Sequence, residues 1–409
     1  MKRCAMMLGA LIAFAGSPLQ AKCEDYNGLP LLPVVGHGPE RSASWSSVLA
    51  PIVSDKRIVM LGEPSHGDGA SILARAEMVQ VLHEHFGFDV LVFEGDFYGL
   101  TFGWPELESA SEIAPFAAAN LYSFWASVPA ARPLWAYIER VKEAGRVYDV
   151  AGIDVRLRGE LSRSRVPNDL TRIAASVQLT FGSNAQQALK DLLHNDLTPS
   201  ATPDEREALQ SLLSQLADRP LAEEADRVLV QSLLAWTQFA WVNGDRDTGM
   251  AANLRWLTDH HFAGRKVVVW AHSNHELRNS AVWNGIANPF PRHMGNLFSD
   301  GREEEVAVIG TIAYGGEIST SFPRALNWQP FDIDDTRSIP SRSADSVEAF
   351  LSANCPSPTV LALPRTETAP RFKSSAIDHI FEAEADYAQA FDALVFVGQA
   401  KSLGAVAER

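Results

Sequence analysis

Two spacings bring imidazole and carboxylate groups within reach of one another: Glu63-x-x-His66 and His272-x-x-His275. Side chains three residues apart on a turn or first helical turn can converge. An imidazole beside a carboxylate is a proton acceptor tuned near neutral pH. The carboxylate fixes the tautomer, and the other ring nitrogen can deprotonate a water. Arg75, in the segment that follows, could neutralise excess carboxylate or hold a developing oxyanion. A plainer role for Glu63 and His66 is to cap a following helix. Glu63, His66, His272 and His275 are also acceptable ligands for zinc or a similar ion, and the same groups can activate water without one.

Other catalytic signatures are missing. Ser65 lies at the wrong offset for a G-x-S-x-G elbow. There is no G-x-x-x-x-G-K-[ST] phosphate loop and no H-E-x-x-H. Gly67-Asp68-Gly69 lacks the third glycine of a dinucleotide fingerprint. His83-Glu84-His85 falls inside a helical pattern and is expected to face solvent.

Short apolar runs must position these groups. Arg57–Gly62, Asp89–Glu94, Tyr148–Asp154, Lys266–Ala271, Val306–Thr311 and Ala393–Gly398 read as strands buried on both faces, with Thr359–Leu363 weaker. Helical patterns at Ser71–Phe86, stopped by Gly87, and at Leu134–Ala144 lie between them. The fold class is therefore α/β: a central, mostly parallel sheet flanked by helices. From about 160 to 258 no strand is convincing. Thr202-Pro203-Asp204-Glu205 is a capping box opening a helix through Leu216, and Ala222–Trp241 and Met250–His260 continue in kind. This stretch is expected to be a large helical insertion over one edge of the sheet. Trp236, Phe239 and Trp241 are expected to pack within it.

Ligands of open α/β sheets gather outside the carboxyl ends of the strands. Four successive runs end in candidate groups: Glu63 with His66, then Glu94, then Asp154, then His272 with His275. Asp154 is expected to bind substrate.

Of the 409 residues, 46% are hydrophobic and 21% charged, an ordinary globular balance that excludes a mainly disordered chain. The net charge of −15 disfavours nucleic acid, whose phosphates demand Lys and Arg. Lys2-Arg3, the apolar stretch Ala5–Ala15 and the small residue Ala21 read as a signal peptide over 1–21, leaving 22–409 as the mature domain. The apolar stretch is shorter than the roughly 20 residues a membrane span needs. A periplasmic or secreted protein is expected, without membrane attachment once the signal is removed. Cys23 and Cys355 would then remain in an oxidising compartment, as one disulfide or as two thiols.

The chain resembles the erythromycin esterase family. That family's G-E-x-[ST]-H-G motif is matched by Gly62-Glu63-Pro64-Ser65-His66-Gly67. Its helical Arg corresponds to Arg75, and its Phe-Glu strand end to Phe93-Glu94. Its R-D-x-x-M-x-x-N element is matched from Arg246-Asp247 through Met250 to Asn253. Its W-A-H-N-x-H motif corresponds to Trp270–His275, with Ser273 in place of Asn. A Met-Gly turn at Met294-Gly295 and a terminal strand at Phe391–Phe396 follow. The resemblance runs from about residue 40 to the end.

The resemblance implies a hydrolase that opens a macrolide lactone, with His66 as general base for water and Glu63 orienting it. Glu94, Arg75, His272 and His275 would line the same cleft, with no covalent serine intermediate and no cofactor. The helical insertion would supply an apolar wall for a small-molecule substrate such as a macrolide, and a monomer is expected. The alternatives are a metal-dependent hydrolase, or a ligand-binding envelope protein on the same scaffold with a non-macrolide substrate.

Overall fold

The computed structural model describes residue 23 and residues 25–404, except 196–199, 243, 280–291, 321–334 and 367–368. The expected signal peptide lies outside the described residues. The strands, in chain order, are β1 (Asp25–Tyr26), β2 (Leu29–Pro33), β3 (Ile58–Glu63), β4 (Phe88–Asp96), β5 (Asp149–Asp154), β6 (Lys266–His272), β7 (Val306–Ile312), β8 (Gly315–Ser319), β9 (Thr336–Ile339), β10 (Thr359–Ala362), β11 (Phe372–Asp378), β12 (Phe381–Ala385), β13 (Ala393–Phe396) and β14 (Gln399–Ala400). Nine of them form one sheet in the order β1-β2-β10-β13-β7-β3-β6-β4-β5. Every pairing from β13 to β5 is parallel, and β1, β2 and β10 add an antiparallel edge.

The absence of hydrophobic alternation has a direct cause. Along β3, Ile58 and Met60 enter one apolar cluster, while Val59 and Leu61 enter the other. The same split separates Val90 and Val92 from Leu91 and Phe93, and Val267 and Val269 from Val268 and Trp270. Both faces of the sheet are covered, so both sets of side chains are apolar.

The insertion comprises helices Glu160–Ser176, Ser183–Asn195, Pro203–Ala217, Glu224–Val242 and Arg246–Trp256, with a π-helical turn at Leu257–His261. The capping box at Thr202 forms as its sequence dictates, with Thr202 and Glu205 exchanging side-chain-to-backbone bonds. The last helix starts at Arg246, ahead of the expected Met250, because Asp245 accepts a bond from the Asp247 amide and caps it. The insertion does more than cover an edge. Its Leu170, Leu213, Leu233, Trp236 and Leu254 share one cluster with the residues on one sheet face. Phe239 and Trp241 pack against that cluster.

His83 departs from the expectation of solvent exposure. Its Nδ1 lies 2.6 Å from the Tyr137 hydroxyl and its ring abuts Tyr148, while Glu84 and His85 are exposed. Cys23 and Cys355 form a disulfide that ties the start of the described chain to the segment before β10.

Candidate active site

β3 is the point where the chain reverses its direction of travel across the sheet. β4 and β5 lie on one side of it; β7 and β13 lie on the other. Such a switch point opens a crevice at the carboxyl ends of the strands. Parallel pairing places Glu63 of β3 directly beside His272 of β6. Next to β6, the pairing of β4 with β5 shifts register between Phe93 and Asp96. Glu94 falls within that irregularity, and a bulge re-aims the side chain it carries.

His66 stands on the loop after β3, and that loop is pinned. Asp68, rather than Glu63 or His66, caps helix Gly69–Phe86, accepting bonds from the Ala70 and Ser71 amides. It also contacts Nε2 of the buried His379, and accepts from the Lys401 amide. Gly67 is required by close approach: a Cβ there would lie 2.1 Å from the Ser319 carbonyl oxygen on β8.

His66 Nδ1 is 2.8 Å from Glu63 Oε1, which also accepts from the Trp125 indole at 2.9 Å. The other oxygen of Glu63 meets the Arg75 guanidinium. Arg75 is fully buried; it donates to the Leu61 and Ala271 carbonyls and stacks on Trp270, with its guanidinium carbon 3.9 Å from the ring centre. Of its two expected roles it takes the first, neutralising a carboxylate from below the cleft. An oxyanion would need a donor facing the cleft.

The His66 ring lies flat on Phe124, 4.6 Å between centroids, and meets Trp125 and His272 edge-on at 5.1 Å each. Burial pushes its pKa down to about 4, against the pull of Glu94. At neutral pH the ring is uncharged. With Nδ1–H given to Glu63, Nε2 carries the lone pair.

His275 is built differently. Its Nδ1 is 2.7 Å from Asp247, and its Nε2 is 3.5 Å from Glu94 and 3.3 Å from Arg246 Nη1. Burial opposes its charge, but Glu94 and Asp247 outweigh burial and raise its pKa. Burial likewise opposes ionisation of Glu94, and is overcome by His275 and Arg246, which hold it well below the carboxylate range. Glu94 also accepts from the His272 amide at 3.1 Å. Burial and the two neighbouring histidines keep His272 neutral.

Asp154 is fully buried among cations. Arg246 grips both its oxygens at 2.9 and 2.7 Å, and Arg156 and Tyr122 complete its bonds. Asp154, expected to bind substrate, anchors Arg246, which also reaches Glu94 at 2.8 Å.

Glu63, His66, Glu94, His272 and His275 therefore converge, with Arg75 and Asp154 behind them. Sequence reasoning passed over Arg246, Asp247, Tyr122, Phe124, Trp125 and Arg156 as site residues. The Arg-Asp pair carried a usable signal, because it opens a helix and stands in a matched motif. The aromatic residues carried none, since nothing in Tyr122–Trp125 distinguishes a site wall from a core. No group of three or more His, Cys, Asp or Glu among the described residues is arranged to hold a metal ion. The guanidinium of Arg246 stands 3.3 Å from His275 Nε2.

Fold and site together define an α/β protein with a histidine–carboxylate cleft at the switch point of its sheet. Known proteins narrow the class. The erythromycin esterase family matches residues 121–400, so the chain belongs to that family, a family of hydrolases. The match begins after Glu63, His66, Arg75 and Glu94, whose grouping rests on the geometry above. YbfO of Bacillus subtilis (strain 168), provisionally named a hydrolase, is 22% identical over 307 residues, covering 66% of this chain and 67% of its own. Solved structures share the fold. A succinoglycan biosynthesis protein superposes with a TM-score of 0.66 at 14% identity, covering 91% of this chain and 95% of that one. A mutant of the erythromycin esterase EreC in its open conformation gives 0.56 at 19% identity, with 88% and 95% covered.

Proposed function

We propose that the protein is an exported esterase that opens a lactone or related carboxylic ester, a macrolide among the candidates, with water activated by His66. The 2.8 Å contact between Glu63 and His66 carries this reading. It sets the imidazole tautomer and orientation that a base needs. His66 Nε2 takes a proton from water while the water oxygen bonds to the ester carbonyl carbon. Arg246 and the cationic form of His275 stabilise the oxyanion. Collapse breaks the acyl C–O bond, and the alkoxide takes the proton back from His66. The products are a carboxylic acid and an alcohol, joined in one ring-opened molecule when the substrate is a lactone.

The reaction needs no metal ion on this reading, because Arg246 supplies the positive charge beside His275. Export is supported by the amino-terminal sequence, Lys2-Arg3 and the apolar stretch behind it. A small-molecule substrate and a monomeric protein belong to the same proposal.

The test is mass spectrometry of erythromycin and a panel of lactones and simple esters after incubation with the purified protein. A gain of one water that is lost in His66→Ala and kept after chelation supports the proposal. Loss on chelation rejects the metal-free mechanism. A panel with no turnover rejects the esterase reading.

A further inference from the structure

Beneath the cleft lies a carboxyl group that the mechanism above does not use. Glu276 ends the short helix Ser273–Glu276 and is fully buried. Neither of its oxygens has a hydrogen-bond partner among the described residues, nor does Ser273 Oγ. Both groups crowd β3: a Cβ on Gly62 would lie 2.7 Å from Ser273 Oγ and 2.8 Å from Glu276 Oε2. On the other side Gly295 packs on the Glu276 backbone, where a Cβ would lie 2.2 Å from its carbonyl oxygen. The residue is therefore held fully buried, with Gly62 against its carboxyl and Gly295 against its backbone.

The charges around it do not balance if it is ionised. Arg75 is the cation that acts on it, and Glu94 is a neighbouring anion. Arg75 is already paired with Glu63, and Glu94 with Arg246. The other elements packed against the helix offer little. β7 has no ionisable residue, and neither does helix Met294–Ser299; His293 precedes that helix. On β11, Lys373 points to the exposed Asp345, and Asp378 is an anion that accepts from the Ile380 amide, so neither offers a positive charge to Glu276. β6 contributes His272, which is neutral. Burial outweighs what Arg75 and the nearby backbone of Leu61 and Ala271 give back, so the carboxylate takes up a proton.

We propose that Glu276 is a positioning residue that stays protonated at neutral pH, so that Arg75 serves as counter-ion to Glu63 alone. A second anion at Arg75 would draw the guanidinium away from Glu63 and raise the proton affinity of Glu63. With less of its charge held by Arg75, Glu63 would pull harder on the His66 proton and make that imidazole more basic. Glu276→Gln keeps the size and the neutrality of the acid, so it separates charge from shape.

The first arm of the test needs no activity and stands apart from the esterase reading. An acid whose folded pKa is raised contributes stability that is fully present below its unfolded pKa and is lost as pH rises through the folded one. Glu276→Gln removes that loss. Its melting temperature relative to the parent is expected to climb steadily from about pH 5 to about pH 9. The infrared band of a protonated carboxylic acid at pH 7 should also be present in the parent and missing from the variant. The second arm rests on the esterase reading: Glu276→Gln should keep kcat/KM within roughly twofold and leave the acid limb of its pH profile in place. A flat melting difference, an unchanged infrared band, a displaced acid limb or a variant that does not fold would each overturn the proposal.

Discussion

His66 and His275 lie at the same end of the same sheet, and their surroundings pull their protons in opposite directions. Both are half-buried, and the partial loss of water disfavours the cation at each. At His66 burial wins: the ring is sandwiched against Phe124 and Trp125, and the carboxylate it touches is shared with Arg75. At His275 two carboxylates, those of Glu94 and Asp247, face the two ring nitrogens, and charge wins. The difference shows that a neighbouring carboxylate does not by itself make a histidine basic. What counts is how much of its negative charge other cations already hold. Two groups of one kind with their proton affinities driven apart are suited to base and acid roles.

The largest break in this comparison comes from removing the base. His66→Ala is expected to lower kcat/KM for ester hydrolysis by about 10³-fold with little change in melting temperature. Steady-state assays on any substrate found by mass spectrometry measure it. A loss below about tenfold would move the base elsewhere.

Next comes the acid side. Asp247→Asn removes one of the two anions that raise the His275 pKa, so the pKa falls. The cation is then lost at lower pH, and the alkaline limb of the rate profile moves down, with roughly tenfold lower activity at pH 8. The acid limb, set by His66, should stay where it is. If both limbs move together, the two histidines titrate as one unit and the separation of roles fails.

The contrast between these histidines was only half legible in the sequence. The strands were readable because both faces of the sheet are covered, so Arg57–Gly62 and Lys266–Ala271 lack alternation and end in polar residues. The pairing of Glu63 with His66 was legible for a local reason: three residues on one loop suffice to form it. The environment of His275 was not, since Asp247 arrives from a helix of the insertion and Glu94 from a bulge in β4. Long-range packing sets both, and spacing cannot report it. Arg75 and Asp154 were found at their strand ends and helix, but their burial was invisible. That burial decides whether a charged group meets substrate or holds another side chain. β2 was missed because Pro30 and Pro33 interrupt its apolar run, and β11 because it buries Ser374 and Ser375, which do not mark a core strand; β1 is two residues long and β12 mostly exposed.

The smallest expected effect is the sharpest test of why His66 is a weak base. Phe124 covers one face of its ring at 4.6 Å and lies flat against Tyr122 on the other side. Phe124→Leu keeps an apolar side chain but uncovers part of the imidazole. Less burial raises the His66 pKa from about 4 toward its ordinary value of 6.5. The neutral form is the active one, so activity is lost as pH falls through the pKa, and the acid limb must move up. A shift of about one unit would leave activity at pH 7 nearly unchanged and cut it severalfold at pH 5. The alkaline limb, which belongs to His275, has no contact with this stack and should not respond. An acid limb that stays in place would mean that charge, rather than the aromatic cover, sets the proton affinity of His66, and the contrast with His275 would then need another cause.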